Sequence, residues 1–201
     1  MKVGLLLSGG MDSIALAWWL RPSVALTVAY GQKAAAGEIA AASAVCKELK
    51  IEHFVLDVDC RSLGSGDMAG KDRSGHAPET DWWPYRNQLL ITLTAMKGIE
   101  LGVEKLLLGT VASDSGHRDG TSEFVAAMNG VLCMQEGSMI LEAPAIGLTS
   151  VQLIRRSKVP AGLLAWAHSC HKADVACGDC RGCNKYLQIF EEVGYELDRP
   201  G

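Results

Sequence analysis

With 201 residues and 48% apolar side chains, the chain has material for one substantial core, and no Gly/Ser linker, charge run or internal repeat divides it. The formal net charge is −4, and the basic residues are scattered, Arg155-Arg156 being the densest pair. That argues against nucleic acid as the main partner, which calls for a basic stripe. No run reaches the roughly 20 apolar residues of a membrane span, and no small-residue cleavage site follows the opening apolar stretch, so a cytoplasmic protein without a membrane partner is expected.

Residues 3–7 are a continuous apolar run, the first predicted strand. Ser8-Gly9-Gly10-Met11-Asp12-Ser13 follows directly: two glycines permit a sharp turn, and a helix over 12–20 starts at once. Free N–H groups at such a helix start, with the dipole behind them, make an anion site, and Ser8 and Ser13 add hydroxyl donors. Asp12 is badly placed to touch an anion and is assigned to Mg²⁺ or to helix capping. The string is neither Gly-x4-Gly-Lys-Ser/Thr nor Gly-x-Gly-x-x-Gly.

A second strand over 23–30, a helix over 38–49 and a third strand over 53–58 come next. Residues 59–80 are polar, glycine-rich and aperiodic, the signature of a functional loop of lid type or of disorder. A helix over 86–101, strands over 105–108 and 139–143, and a helix over 122–134 between them continue the alternation. Unbroken apolar strands suit a parallel sheet covered on both faces, so the fold class is α/β, a doubly wound parallel five-stranded sheet. Thr149 and Gln152 have capping-box spacing for a helix that ends before Pro160, and a last helix spans about 184–193.

Of seven cysteines, Cys46, Cys60 and Cys133 stand apart and read as small buried hydrophobes. Cys170, Cys177, Cys180 and Cys183 supply four thiolates, the set that a closed tetrahedral zinc site takes. Gly178 and Gly182 let the backbone wrap around the ion. An iron–sulfur cluster is the alternative, since Cys-x2-Cys-x2-Cys also holds such clusters. A closed site leaves no position for substrate, so the metal is assigned to structure. His168 and His171 flank the first cysteine and read as outer or surface residues rather than ligands. The chain thus divides into an α/β domain over 1–160 and a four-cysteine zinc-binding segment with the last helix over 161–201.

The string S-G-G-x-D-S after the first strand resembles the pyrophosphate loop of ATP-pyrophosphatases, which adenylate a carboxyl or carbonyl oxygen and release pyrophosphate. Together with the cysteine spacing, nearly the whole chain resembles the 7-cyano-7-deazaguanine synthase family of queuosine biosynthesis. Tyr30-Gly31-Gln32-Lys33 matches its Tyr-Gly-Gln-Arg, and Pro84-Tyr85-Arg86-Asn87 matches its Pro-x-Arg-Asn. Asp114, Ser115-Gly116, Asp119, Glu123-Phe124, Asn129, Ala143-Pro144 and Ser169-Cys170 follow in the family's order.

The resemblance implies a fold of the adenine nucleotide alpha hydrolase (HUP-like) type, with ATP, Mg²⁺ and Zn²⁺ as cofactors and a homodimer as the assembly. ATP would turn the carboxylate of 7-carboxy-7-deazaguanine into an acyl adenylate, ammonia would give the amide, and a second activation the nitrile. Ser8, Gly9, Gly10, Met11, Asp12, Ser13, Tyr30 and Gln32 are then the nucleotide-binding set. Lys33, Arg86, Asn87, Asp114, Asp119 and Glu123 are the substrate set, and Ser8, Asp12, Arg86 and Asp114 the catalytic residues. Arg86, at a helix start, is suited to a phosphate or a carboxylate. One of Asp114, Asp119 and Glu123 could accept hydrogen bonds from a guanine-like edge. For Trp82-Trp83, core packing is the better reading than stacking on a base.

Several family positions differ. The histidine usual after Tyr-Gly-Gln-Arg is Ala34, Glu38 is displaced by one residue, and one residue is absent between Asp114 and Gly116. An expected arginine is Thr121, the family's Asp and Ser-Lys are Gly147 and Thr149-Ser150, and another arginine is Tyr186. Lys33 and Lys185 bring charge nearby, although lysine does not reproduce an arginine fork. These departures keep three further readings open. One is a synthase-like enzyme of an antiphage operon that joins the activated deazaguanine to a protein amine. The second is other pyrophosphate-loop chemistry, and the third an inactive nucleotide-binding scaffold.

Overall fold

A computed structural model of the chain describes residues 1–114 and 117–195. Five strands, β1 (Val3–Leu6), β2 (Val24–Ala29), β3 (Glu52–Asp57), β4 (Lys105–Leu107) and β5 (Ile140–Glu142), form one sheet in the order β3-β2-β1-β4-β5. Every pairing is parallel; Leu5, for example, lies opposite Ala25 on one side and Leu107 on the other. The helices are α1 (Met11–Leu20), α2 (Ala35–Leu49), α3 (Gly66–Ala69), α4 (Arg86–Glu100), α5 (Ser122–Cys133), α6 (Ser150–Ser157), α7 (Ala161–Leu164) and α8 (Arg181–Val193).

Two apolar layers sandwich the sheet. On one face Leu5, Ile14, Leu16, Val45, Leu153 and Ile154 pack together, joined by Ile189 and Phe190 of α8. On the other face Leu26, Leu106 and Leu141 meet Ile91 of α4 and Val125 and Met128 of α5. The all-buried run of β2 follows from this double cover. β3 departs from it: as the edge strand it leaves Glu52, Val55 and Asp57 exposed, because one side has no neighbour to complete the cover. Cys46 and Cys60 are buried as expected, but Cys133 is exposed, since it ends α5 where the helix leaves the core.

Helix ends follow local chemistry. Thr149 and Gln152 form the capping box: Thr149 Oγ1 accepts from Gln152 N at 3.2 Å and Gln152 Oε1 from Thr149 N at 2.9 Å. α8 starts at Arg181, three residues before the expected 184, because Cys180 caps it, its Sγ accepting from Cys183 N at 3.4 Å. The 59–80 segment holds a 3₁₀ turn at Arg61–Leu63 and the single turn of α3, which buries Met68.

Strand order reverses at β1, so the connections after β1 and β4 leave toward opposite faces and open a crevice at the carboxyl edge, where α/β proteins place ligands. Replacing the capping threonine (Thr149→Ala) should cost about 1 kcal/mol. It should lower the thermal midpoint by about 2–4 °C, read by circular dichroism; an unchanged midpoint would deny the box a role.

Candidate active site and cysteine cluster

The chain reverses between β1 and α1 through a turn that only glycine fits. Gly9 has φ +77°, and a Cβ there would collide with the Glu38 carbonyl oxygen. Gly10 then starts α1 with no side-chain cap. The loop hydroxyls brace one another: Ser13 Oγ donates to Gly10 O at 2.9 Å and lies 3.2 Å from Ser8 Oγ, which accepts from Gly10 N at 3.3 Å. The first N–H groups of α1 have no partner within the helix, so the turn presents donors and a positive dipole end to the crevice. Asp12 lies in that first turn, and Lys185 Nζ of α8 is 3.2 Å from its Oδ2. Its carboxylate in the first turn complements the positive end of the α1 dipole.

A cleft of about 300 Å³ opens over this loop. Ser8, Gly10, Met11, Asp12, Ser13, Tyr30, Arg86 and Asn87, all singled out by the sequence, line it. Arg86, the first residue of α4, donates from its NH1 to Met68 Sδ at 3.0 Å and forms no ion pair among the described residues. A thioether is a weak acceptor, so the guanidinium keeps its charge for an anion.

Several other residues singled out in the sequence do not line this cleft. Asp119 clamps the start of α4, accepting from Asn87 N at 3.1 Å through Oδ2 and from Asn87 Nδ2 at 2.8 Å through its carbonyl. Glu123 is exposed on the first turn of α5, and neither residue lines the cleft. Lys33 borders a separate shallow depression with Asp67, Gly70 and Lys172. Trp83 is 2% exposed and packs edge-on against Tyr30 with ring centroids 4.8 Å apart. The side chain of Asp114 lies outside the described residues, as do Ser115 and Gly116.

Gln32 is buried and is a bracket for its neighbours. Its Oε1 accepts from Tyr30 N at 2.8 Å, and its Nε2 donates to Val28 O at 3.2 Å and to Glu38 Oε2 at 2.7 Å. Glu38 lines the cleft. Burial pushes its carboxyl up from 4.5 to about 7, against the hydrogen bond from Gln32 and the charge of Arg86. Asp81, missed by the sequence reading, is 6% exposed and directly follows the 59–80 segment in the cleft. His171 Nδ1 and Arg181 NH1 each lie 3.3 Å from it, and His117 Nε2 lies 3.8 Å away. These groups come from four separate segments, and no spacing in the sequence links them.

The four cysteines converge at the start of α8, their sulfurs all within 4.8 Å of one another. Cys177 and Cys183 are 3.9 Å apart, Cys170 and Cys180 4.0 Å. Tetrahedral sulfurs about 2.3 Å from an ion would stand about 3.8 Å apart, so the set fits a metal ion. Gly182 permits this closeness, since a Cβ would collide with the Ser169 carbonyl. Burial raises the Cys170 thiol, but N–H groups of Lys172, Cys177 and Ala173 outweigh it and bring it to about 7. His168 and His171 are not among the four ligands: His168 N donates to Gly9 O at 2.9 Å, while His171 faces Asp81.

A family model described as "Queuosine biosynthesis protein QueC" matches residues 2–194. The 7-cyano-7-deazaguanine synthase of Stenotrophomonas maltophilia (strain K279a) is 34% identical over 96% of this chain and 96% of its own. 7-Cyano-7-deazaguanine synthase 1 of Desulfitobacterium hafniense (strain Y51) is 29% identical over 97% and 95%. A solved structure, the U34-tRNA thiolase NcsA from Methanococcus maripaludis with its 4Fe-4S cluster, shares the fold with a TM-score of 0.55 at 17% identity. The match covers 96% of this chain and 65% of that one.

Two outcomes follow from the loop and its bracket. Substituting Gly9→Ala puts a side chain in the left-handed region, at about 1–2 kcal/mol before the collision with Glu38 is counted; a lower thermal midpoint and weaker ATP binding by calorimetry are expected. Glu38 keeps its proton to about pH 7 in the folded state, whereas the unfolded chain releases it near 4.5. Between those values the native state binds more protons, so this group's contribution to stability falls as pH rises. Glu38→Gln should flatten that part of a urea-denaturation pH series; an unchanged slope would show that Glu38 is not the titrating group.

Proposed function

This chain belongs to the QueC family of queuosine biosynthesis proteins, and on that premise we propose that it is an ATP-dependent carbon–nitrogen ligase making 7-cyano-7-deazaguanine. A carboxylate oxygen of 7-carboxy-7-deazaguanine attacks the α-phosphorus of ATP and pyrophosphate leaves. Ammonia attacks the acyl carbon, AMP leaves, and the amide results. The amide oxygen is adenylated by a second ATP, and loss of AMP and protons yields the nitrile. No protein nucleophile is needed; positioning and charge stabilisation carry the rate.

The observation that carries this reading is a half-buried guanidinium, Arg86, facing a glycine-turned helix start across one cleft. The first-turn N–H groups of α1, with Ser8, receive the β- and γ-phosphates, and Lys185 adds a positive charge beside them. Arg86 takes the substrate carboxylate, where a fork of two N–H donors fixes the attacking oxygen. Asp12 is the carboxylate suited to hold Mg²⁺, a hard cation that favours oxygen ligands and offsets the charge of departing pyrophosphate. The four thiolates hold Zn²⁺ as a closed structural site. Residues 1–160 thereby form the nucleotide domain and 161–201 the metal segment, which lends Lys185 to the phosphate site.

A second reading, transfer of the activated acid to a protein amine, is favoured by how the departures pack. Ser150 stands where the family has lysine, is 2% exposed, and lies 3.3 Å from Ser113 in the cleft wall. Tyr186 stacks on Phe190 instead of presenting a guanidinium.

Incubation with ATP, Mg²⁺, ammonia and 7-carboxy-7-deazaguanine should release pyrophosphate and yield the nitrile by mass spectrometry. An adenylate that stalls favours the second reading, and no pyrophosphate leaves an inactive scaffold. Arg86→Ala should lower kcat/KM by about 10²–10³-fold. Metal analysis should find one zinc per chain, and visible iron–sulfur absorption would refute that ion.

A further inference from the structure

Activation of the acid accounts for the glycine turn, Arg86 and Asp12, but leaves unexplained a carboxyl that the fold holds rigidly in the same cleft. Glu38 lies on the first turns of α2, and its own backbone carbonyl lies against Gly9 of the phosphate loop. Its Oε2 is held by Gln32 Nε2 at 2.7 Å, and Gln32 is fixed in turn to Tyr30 N and Val28 O at the end of β2. A buried glutamine anchored to two backbone groups and donating to one carboxylate sets that carboxylate's position. Glu38 is also electrostatically coupled to Arg86, the group assigned to the reacting acid.

The second half-reaction has an unmet requirement at this place. When a neutral amine attacks an acyl adenylate, the nitrogen becomes positively charged and must shed a proton before AMP leaves productively. We propose that Glu38 is the general base that accepts this proton, with Gln32 as its positioning residue. The nitrogen lone pair forms the C–N bond, and the C–O bond to AMP breaks with its electron pair going to the phosphate oxygen. The N–H proton passes to Oε1 of Glu38, the oxygen Gln32 does not hold, and later to solvent. This assignment rests on the acyl-adenylate reading above.

The charged and titratable groups around Glu38 are Arg86 from α4, Tyr30 after β2 and Asp174 from the cysteine segment. Desolvation, with the Asp174 charge acting the same way, outweighs the Gln32 hydrogen bond and the Arg86 charge and brings the carboxyl to about 7, where a base is both deprotonated and strong enough at neutral pH.

Single-turnover measurements with ATP, Mg²⁺, 7-carboxy-7-deazaguanine and ammonia separate the two halves. In Glu38→Gln the pyrophosphate burst should match that of the unaltered protein, while amide formation falls about 10²-fold or more. With free ammonia held constant across the series, the unaltered protein's amide rate should rise with pH through about 7, and the variant should lose that limb. Glu38→Asp, which retracts the carboxylate by one methylene, should show the same split if the glutamine form does not fold. Amide formation at the normal rate and pH profile overturns the assignment, as does a burst that falls in step with the amide. No pyrophosphate from the unaltered protein overturns the functional reading itself, and the base with it.

Discussion

A backbone hydrogen bond from His168 N to Gly9 O at 2.9 Å ties the glycine turn directly to the segment that carries the cysteines. Gly9 occupies a backbone conformation that side-chained residues avoid and glycine adopts freely, so its surroundings decide where the turn sits. The surroundings come from both sides: the first turns of α2 press against Gly9, and the segment entering the cysteine cluster receives its carbonyl. Two residues after His168 the chain reaches Cys170, and the cluster then caps α8, which returns Lys185 to Asp12. A metal in the cluster would therefore shape the turn between β1 and α1.

Asp81 is matched by Arg181 at 3.3 Å, with His171 and His117 beside it, so it joins the long 59–80 segment to the cysteine cluster. Arg86 has a thioether where a carboxylate could have been, and Glu38 has an amide. Both stay chemically available. Burying charges without close partners is costly, and such costs concentrate at sites that bind or react.

The departures from the family pattern are absorbed by packing rather than left as gaps. Ala34, where a histidine is usual, is fully buried. Thr121, in place of an arginine, caps α5 by accepting from Phe124 N at 3.3 Å. Ser150 begins α6 and Tyr186 fills the layer between α8 and its neighbours. Each of these side chains has a place in the packing of this chain, and the cleft keeps its loop, Arg86 and Lys185.

The fold class, the five strands, the glycine turn, the capping box and the four cysteines were legible in the sequence because each depends on neighbours a few residues away. An apolar run of five, two glycines before a helix, or Thr-x-x-Gln states its structure locally. The cleft was legible only at its floor, through Ser8–Ser13, Tyr30, Arg86 and Asn87. Asp119 and Gln32 fit the right motifs yet serve as a clamp and a bracket, because whether a polar side chain faces a cavity or a backbone amide depends on what packs over it. Glu38, Asp81, His117 and Arg181 meet only through the reversal of strand order at β1 and the return of α8, and such long-range proximity has no periodicity for a sequence to display.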